Sequence, residues 1–219
     1  MHGSAVRVAV SALSITLVIG CGSSKAATTS TTPAPDNQPL AGMVGQNIII
    51  APVQGMRIAP ELAWTAPAGP KATLARLDSL IADSVRSRVG NMGWVFADGV
   101  AKAAASNPMY ATDPRALAAN PLRSAALKID QRLPEPLASQ LRTMIALEKD
   151  VRLVLIPVEL RFDKAENGFG RPTVRLVLVD PRASIVRWIG EARGTDSPVF
   201  TPDFSAVIAA RFADLFVAK

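Results

Sequence analysis

Three apolar runs in close succession decide the fold: VRLVLIPVELRF (151–162), RPTVRLVLVD (171–180) and SIVRWIGEARG (184–194). Runs of this length that are rich in Val, Leu and Ile and bounded by turn residues predict β-strands. The two breaks contain Asn167-Gly168 and Asp180-Pro181, pairs that are typical of hairpins and β-turns. We therefore predict an antiparallel three-strand meander that supplies the sheet and most of the core.

The apolar pattern of each run predicts which face its side chains occupy. In the first run, the residues that point to either face of the strand are apolar up to Ile156. This part is therefore expected to be buried on both faces. Pro157 has no N–H for a ladder, which predicts an edge or a bulge at this position. After Pro157 the apolar Val158, Leu160 and Phe162 alternate with the charged Glu159, Arg161 and Asp163, which predicts a half-exposed end of the strand. In the second run Val174, Leu176 and Leu178 are predicted to face one way, and Arg175, Val177 and Val179 the other. In the third run Val186 and Trp188 are predicted to pack in the core, and Arg187 and Glu191 to face outward.

The remainder of the chain is expected to add two or three strands and several helices. The β-branched run Asn47–Val53 predicts a strand buried on both faces, followed by a second extended segment at Met56–Ala59. The clearest helix is Lys71–Val89, which Gly90 ends. We further predict a short strand at Trp94–Phe96, helices over 98–106 and 136–148, short helical turns within Met109–Leu133, and a last helix that Thr201-Pro202 caps. The predicted fold class is α/β (α+β), a mixed sheet of about five strands with helices packed on it.

The N-terminus carries an export signal. Met1–Arg7 is basic, and the apolar run Val8–Ile19 is shorter than the roughly 20 residues that span a bilayer, which favours a secretory signal peptide. The junction Val18-Ile19-Gly20-Cys21 resembles the lipobox of bacterial lipoproteins. That resemblance implies cleavage after Gly20, so that 1–20 is the signal peptide, and acylation of Cys21, for example with palmitate. The alternative is an ordinary signal peptide or anchor with an incidental cysteine.

The residues that follow Cys21 predict a lipid-anchored domain on a tether. Cys21 is the only cysteine, so no intramolecular disulfide can form. In enteric bacteria an Asp at the position of Gly22 favours retention in the inner membrane. Gly22 therefore resembles an outer-membrane sorting signal, which would place the domain on the periplasmic face of that membrane. The Ser-, Thr-, Ala- and Pro-rich segment within 21–39 has no apolar period and is predicted to be a disordered tether. The periplasmic domain is expected to cover 40–219.

Composition excludes several classes of function. The net charge is +6, but the basic residues form no block and do not interleave with aromatics, so nucleic-acid binding is not expected. A diffuse positive excess could attract anionic partners such as lipid head groups or cell-wall polymers. The only histidine, His2, lies in the predicted signal peptide. Without a mature His or a free Cys, His/Cys metal sites and His-assisted nucleophiles are excluded.

No catalytic, cofactor-binding or metal-binding residue is predicted, and the protein is not expected to be an enzyme. Asp78 and Asp83 on the first helix, and Glu148 and Asp150 after a later one, are interpreted as surface or helix-end charges. Trp94 and Trp188 are interpreted as core residues. Two alternatives stay open for Trp64, a partner-facing anchor or core packing, and for Met109-Tyr110, an exposed contact or a lid over the sheet.

The order of elements resembles the periplasmic domain shared by penicillin-binding-protein activator lipoproteins and curli-secretion-channel lipoproteins. The resemblance covers about 46–217 and rests on NIIIAPV, LVLIPVELRF, VRLVLVD and IVRWIG. The chain departs from it at Ala183-Ser184, where the family often has Thr-Gly, and it lacks the long amphipathic inserts of the channel members. The resemblance implies a non-enzymatic binding or regulatory partner of a cell-wall or assembly complex. The alternative is a subunit of a secretion or transport complex that associates into a ring, and an enzyme ranks third.

Overall fold

The computed structural model describes residues 39–90 and 93–217, and these residues form a mixed five-stranded sheet with helices on both faces. The strands are β1 (Ile48–Ile50), β2 (Met56–Ile58), β3 (Leu153–Lys164), β4 (Gly170–Asp180) and β5 (Ile185–Arg193). Their order is β1-β3-β4-β5, and β2 also pairs with β3, beyond the end of β1. β1 and β2 run parallel to β3, while β3, β4 and β5 are antiparallel. The predicted fold class and meander are confirmed.

Four α-helices lie within the described residues: α1 (Gly69–Val89), α2 (Ala97–Ala105), α3 (Leu137–Ala146) and α4 (Phe204–Asp214). α1 and α4 pack against each other on one face of the sheet. α2 and α3 pack on the other face together with the segment between them. We call the two apolar interiors the first core, under α1 and α4, and the second core, under α2 and α3. The described residues also contain three 3₁₀ turns, at Ala41–Met43, Pro60–Leu62 and Asn120–Arg123.

The alternation in β4 shows how the sequence builds both cores from one strand. Val174, Leu176 and Leu178 lie in the first core, and Val177 and Val179 lie in the second, as predicted. Successive side chains of a strand point to opposite faces, so one apolar run fills two layers. The hairpin that precedes β4 turns at Gly168, whose φ of 82° is the left-handed conformation that the predicted Asn-Gly tip favours.

A bulge in β3 overturns the predicted faces beyond Pro157. The pairing of β3 with β4 shifts between Pro157 and Glu159, which confirms the expected irregularity at the proline. Val158 lies in the second core with Val154 and Ile156, and the bulge places Leu160 and Phe162, which follow it, in the first. The prediction that these three share one face was therefore wrong, because a bulge inserts one residue and reverses the parity after it.

A second bulge, at Arg187 in β5, has the same consequence. Leu178 pairs with Trp188 and Val179 with Val186, so Arg187 is the additional residue. Val186 consequently lies in the second core, while Trp188 packs at the edge of the first. The expectation that both side chains face the same core was wrong, because simple alternation does not hold across the bulge.

Other predicted segments are shorter or differently built. Trp94–Phe96 forms an isolated bridge between Val95 and Ile49 rather than a strand. Within Met109–Leu133 the 3₁₀ turn at 120–123 is present, but Asp113 accepts the N–H of Arg115 in a local turn and starts no helix. Asp203, rather than Thr201, precedes α4, and no side-chain hydrogen bond caps that helix. In the described part of the chain no helix combines the length and the apolar character needed to cross a membrane.

Candidate ligand groove

An open recess of the sheet, which we call the Trp188 groove, lies where β3 begins and β4 ends. It encloses about 430 Å³, within the range of small-ligand sites. Leu153 from β3, Leu178 from β4 and Trp188 from β5 form its floor, and the turn Pro39–Gln46 forms one wall. Arg152, Asp180 and Arg187 surround the mouth. The floor belongs to the first-core face, so the groove is apolar below and charged at its rim.

Trp188 owes this position to the bulge in β5. The bulge at Arg187 turns Trp188 to the first-core face, which is also the face of Gly190. The indole ring lies over Gly190, where the Cβ of any larger residue would overlap it. Trp188 is half-buried and packs against the first core, so the predicted core position is confirmed but its burial is incomplete. The sequence signal for this arrangement is the position of Trp188, directly after Arg187 and two residues before Gly190.

The wall of the groove is tied to the rest of the domain at both ends. The N–H of Leu40 donates to the carbonyl of Leu215 at 3.1 Å, and the Leu40 side chain is buried. The indole N–H of Trp94 donates to the carbonyl of Gln46 at 2.6 Å. Trp94 itself is buried, as predicted. These contacts hold the wall in place, so the groove is formed before any ligand is bound.

The unbalanced charge of the groove is positive. Arg152 is exposed and makes no ion pair or hydrogen bond within residues 39–90 and 93–217. Arg187 has its Nη2 atom 3.5 Å from Oδ2 of Asp180 and its Nη1 atom 3.7 Å from Oδ1 of Asp130. The other oxygen of Asp180 accepts the backbone N–H groups of Arg182 and Ala183, at 3.0 and 3.1 Å. The carboxylate of Asp180 is thus engaged internally, whereas Arg152 is available to a ligand.

Asp78 was expected on the surface, and the structure places it in the interior. Its Oδ1 accepts the backbone N–H of Val53 at 2.9 Å, and its Oδ2 pairs with Arg115. Gln54 holds the same region, donating to the carbonyl of Pro114 at 2.8 Å and accepting the N–H of Leu117 at 3.0 Å. The two side chains join α1 and the loop after β1 to the segment at 114–117. Asp78 therefore has a structural role. The prediction that it is a surface charge was wrong, because Asp78 is buried.

Burial also makes Asp78 sensitive to pH. Desolvation raises the pKa of this carboxyl above its usual 3.8, although the Val53 N–H and Arg115 act in the opposite direction. The folded state then holds the proton more tightly than the unfolded state, so stability falls as the pH rises from about 3.8 through the raised pKa. We expect wild type to lose stability relative to Asp78→Asn over this interval, because the amide stays neutral and can still accept the Val53 N–H.

Urea melts of the two proteins at a series of pH values measure this difference. Ser79→Asn is the matched control, since Ser79 is an exposed neighbour on α1. It should parallel wild type at every pH. A stability difference between wild type and Asp78→Asn that stays constant, or that changes in the opposite direction, would contradict the buried-carboxyl assignment.

The other carboxylates singled out from the sequence do not come together. Asp83 and Asp150 are exposed, and burial raises the pKa of Glu148 beside a small recess between α2 and α3. Across the described residues, no three His, Cys, Asp or Glu side chains are grouped so that they could hold a metal ion. The predicted lipidation residue Cys21, the tether and His2 lie outside the described residues.

The structure decides between the two alternatives for each aromatic segment. Trp64 packs edge-on against Phe162 and Phe200, with ring centroids 5.8 and 6.1 Å apart, which confirms core packing. Met109 and Tyr110 are 85% and 80% exposed, so the lid alternative was wrong, and a contact with a partner through these residues stays a prediction.

Beyond the β3 bulge, the second face of the sheet carries an ion-pair network. Arg161 pairs with Glu191 and Asp163, each at 2.7 Å. Glu159 lies 3.7 Å from Arg57 and 3.4 Å from Arg123, and its side chain is only 13% exposed. Glu159 and Glu191 therefore point away from the apolar cores, as predicted, but neighbouring arginines cover them. The central arginines of this face are already paired, which makes it a weaker candidate for a ligand site than the Trp188 groove.

Comparison with known proteins identifies no family. No family model matches the chain, and no curated protein sequence matches it. Among solved structures, the chain is similar to a dodecamer of a PelC variant from Paraburkholderia phytofirmans at 11% sequence identity and a TM-score of 0.33, covering 78% of this chain and 88% of that one. A likeness at this TM-score supports no conclusion about function, and the resemblance to envelope lipoproteins stays a prediction from the sequence.

Proposed function

We propose that this chain is a lipid-anchored envelope protein whose α/β domain binds a protein partner through the Trp188 groove, without catalysis of its own. The observation that carries the proposal is the groove itself: a recess with an aromatic and aliphatic floor and, at its rim, an arginine that pairs with no other described residue. Buried aromatic anchors beside arginine are the residues that contribute most to binding energy in protein interfaces.

The position of the groove fits a tethered protein. Pro39, which lines the groove, stands directly after 23–38, the Ser-, Thr-, Ala- and Pro-rich segment that is predicted to be the tether. With Cys21 acylated and Gly22 as the address, the anchor would be in the outer membrane and the domain in the periplasm. A partner bound in the groove would then sit near the point where the tether enters the domain.

The residue inventory supports a binding role over an enzymatic one. His2 and Cys21 are the only residues of their types, and both belong to the predicted export and lipidation region. The chemistry left to the domain is that of carboxylates, hydroxyls, lysine and arginine. The most deeply buried carboxylate, that of Asp78, is engaged by Val53 and Arg115 in a structural link between elements.

Site-specific photo-crosslinking in whole cells tests the proposal. A photoreactive residue at Met43, on the groove wall, is expected to give one discrete adduct with another protein. The control position is Glu166, which is exposed in the β3–β4 loop at the opposite end of the sheet. That position should not give this adduct, because a partner seated in the groove does not reach the distal hairpin.

Two further substitutions separate the parts of the proposal. The Met43 adduct is expected to disappear in Cys21→Ser, which cannot be acylated, and to weaken in Arg152→Gln. The groove assignment fails if Met43 and Glu166 give the same adducts or none. An adduct made of two copies of this chain would instead favour the alternative of a self-associating secretion or transport subunit. Outer-membrane fractionation of processed Cys21→Ser would overturn the lipid anchor.

A further inference from the structure

We infer that the Trp188 groove recognises a carboxylate, carried by an acidic peptide segment of the partner that also places an apolar side chain on the groove floor. The inference rests on the proposed function, since it specifies the chemistry of the partner that the groove binds. It follows from three features of the groove: the groups that remain free, the geometry of arginine, and the character of the floor.

The charged group that remains free for a ligand is a donor. Arg152 has no partner in the described part of the chain, and the contacts of Arg187 with Asp180 and Asp130 are long, at 3.5 and 3.7 Å. The indole N–H of Trp188 likewise makes no hydrogen bond to any described residue. On the wall, the amide nitrogen of Gln46 already donates to the carbonyl of Gly42 at 3.1 Å.

The acceptors of the groove do not balance these donors. Asp180 is the acidic residue of the lining, and its two oxygens face the backbone of the following turn and Arg187. The lining holds two arginines and one aspartate; because Asp130 and Asp180 both face Arg187, the positive charge left without a counterion in the described residues is that of Arg152. A ligand that brings acceptors and a negative charge therefore complements the groove, and a cationic ligand would be repelled.

Arginine favours a carboxylate or a phosphate as that ligand, because its planar guanidinium can donate two parallel hydrogen bonds to either. The floor decides between the two. Leu153, Leu178 and Trp188 present an apolar surface beside the arginines, which an aliphatic or aromatic side chain adjacent to the acidic residue would cover. A phospholipid would satisfy the arginines, but its acyl chains would stay in the membrane and leave this floor open to water.

A peptide-binding measurement on the full-length chain in zwitterionic detergent micelles tests the inference. The probe is a fluorescently labelled, end-capped peptide, Gly-Phe-Asp-Glu-Gly, followed by fluorescence anisotropy, and its neutral isostere Gly-Phe-Asn-Gln-Gly is the reference. We expect the acidic peptide to bind at least tenfold more tightly, and its affinity to fall as salt is added. Arg152→Gln should weaken its binding about tenfold, the effect of losing one charge-assisted interaction.

Arg76→Gln is the matched control, because Arg76 is another exposed arginine, on α1, that makes no ion pair within the described residues. It should leave peptide affinity unchanged. Removing exposed Arg152 should not disturb the fold, which a thermal melt verifies. A second variant, Trp188→Leu, should reduce the contribution of the peptide Phe, so that Gly-Ala-Asp-Glu-Gly and the Phe peptide bind that variant nearly equally.

Three outcomes overturn the inference. One is equal affinity for the acidic peptide and its neutral isostere, and another is an equal loss in Arg76→Gln and Arg152→Gln. The third is displacement of the acidic peptide by phosphatidylglycerol added to the micelles but not by phosphatidylcholine, with Arg152→Gln abolishing the effect of the lipid, which would assign the groove to lipid phosphate. If the peptides fail while the Met43 adduct still forms in cells, the carboxylate inference is wrong and the proposed partner binding stands.

Discussion

Replacing Leu176 with alanine is expected to lower the free energy of unfolding by about 2–5 kcal/mol, the usual loss for a buried leucine side chain. Leu176 is 0% exposed and lies in β4, between β3 and β5, where it pairs with Pro157 and Gly190. Its neighbours cannot collapse into the vacated volume without moving two adjacent strands, so the cavity will persist. Denaturant melts of wild type and variant measure the loss.

Two variants of the same sheet serve as controls for the register. Arg187→Ala should cost under about 1 kcal/mol, because its long contacts with Asp180 and Asp130 are at the surface. Glu159→Ala should cost about 1 kcal/mol, since it removes the carboxylate beside Arg123, while Arg57 keeps Asp163 at 3.0 Å and both arginines stay partly hydrated. If Arg187→Ala cost as much as Leu176→Ala, the assignment of faces in the meander would be incorrect.

Replacing Phe162 with alanine is expected to cost about 3–5 kcal/mol, the range for deleting a buried aromatic ring. Phe162 is the centre of an aromatic cluster with Trp64, Phe200 and Phe204, at centroid distances of 5.8, 5.3 and 4.8 Å. This cluster joins the segment after β2, the end of β3 and the start of α4. The loss should therefore also appear as a changed near-ultraviolet circular dichroism signal from Trp64.

Phe169→Ala is the matched control for the aromatic cluster. Phe169 lies in the loop that follows β3 and is 41% exposed. Because its ring already contacts water, its removal should cost under about 1 kcal/mol. A loss from Phe169→Ala equal to that from Phe162→Ala would mean that the cluster is not the part of the first core that joins these elements.

The features that the sequence alone determined are those that depend on neighbours along the chain. Alternation in 174–179 predicted both faces of β4, the three-to-four-residue spacing predicted α1 up to Gly90, and Asn167-Gly168 predicted the hairpin tip. Each of these follows from backbone geometry over a few residues: a period of two, a period of 3.6, or a left-handed turn. The fold class followed because these local signals occur in one consistent order.

The bulges and the side-chain environments were decided by tertiary structure. Leu160 and Trp188 lie on faces that alternation does not give, because the partner strand determines where an extra residue is accommodated. In the sequence Asp78 has the character of a surface helix residue. In the fold it is buried against Val53 and Arg115, which are 25 and 37 residues away. Met109 and Tyr110 stay exposed because no other element covers them within the described residues.

The Trp188 groove is the clearest case of a site that only the folded chain contains. Its floor joins Leu153, Leu178 and Trp188 from three strands, and its wall comes from 39–46, more than a hundred residues earlier. The sequence did predict that 153, 178 and 188 lie in adjacent strands of a meander. It could not predict that the N-terminal turn would be held beside them by hydrogen bonds to Leu215 and Trp94, because such contacts arise only when distant segments pack together.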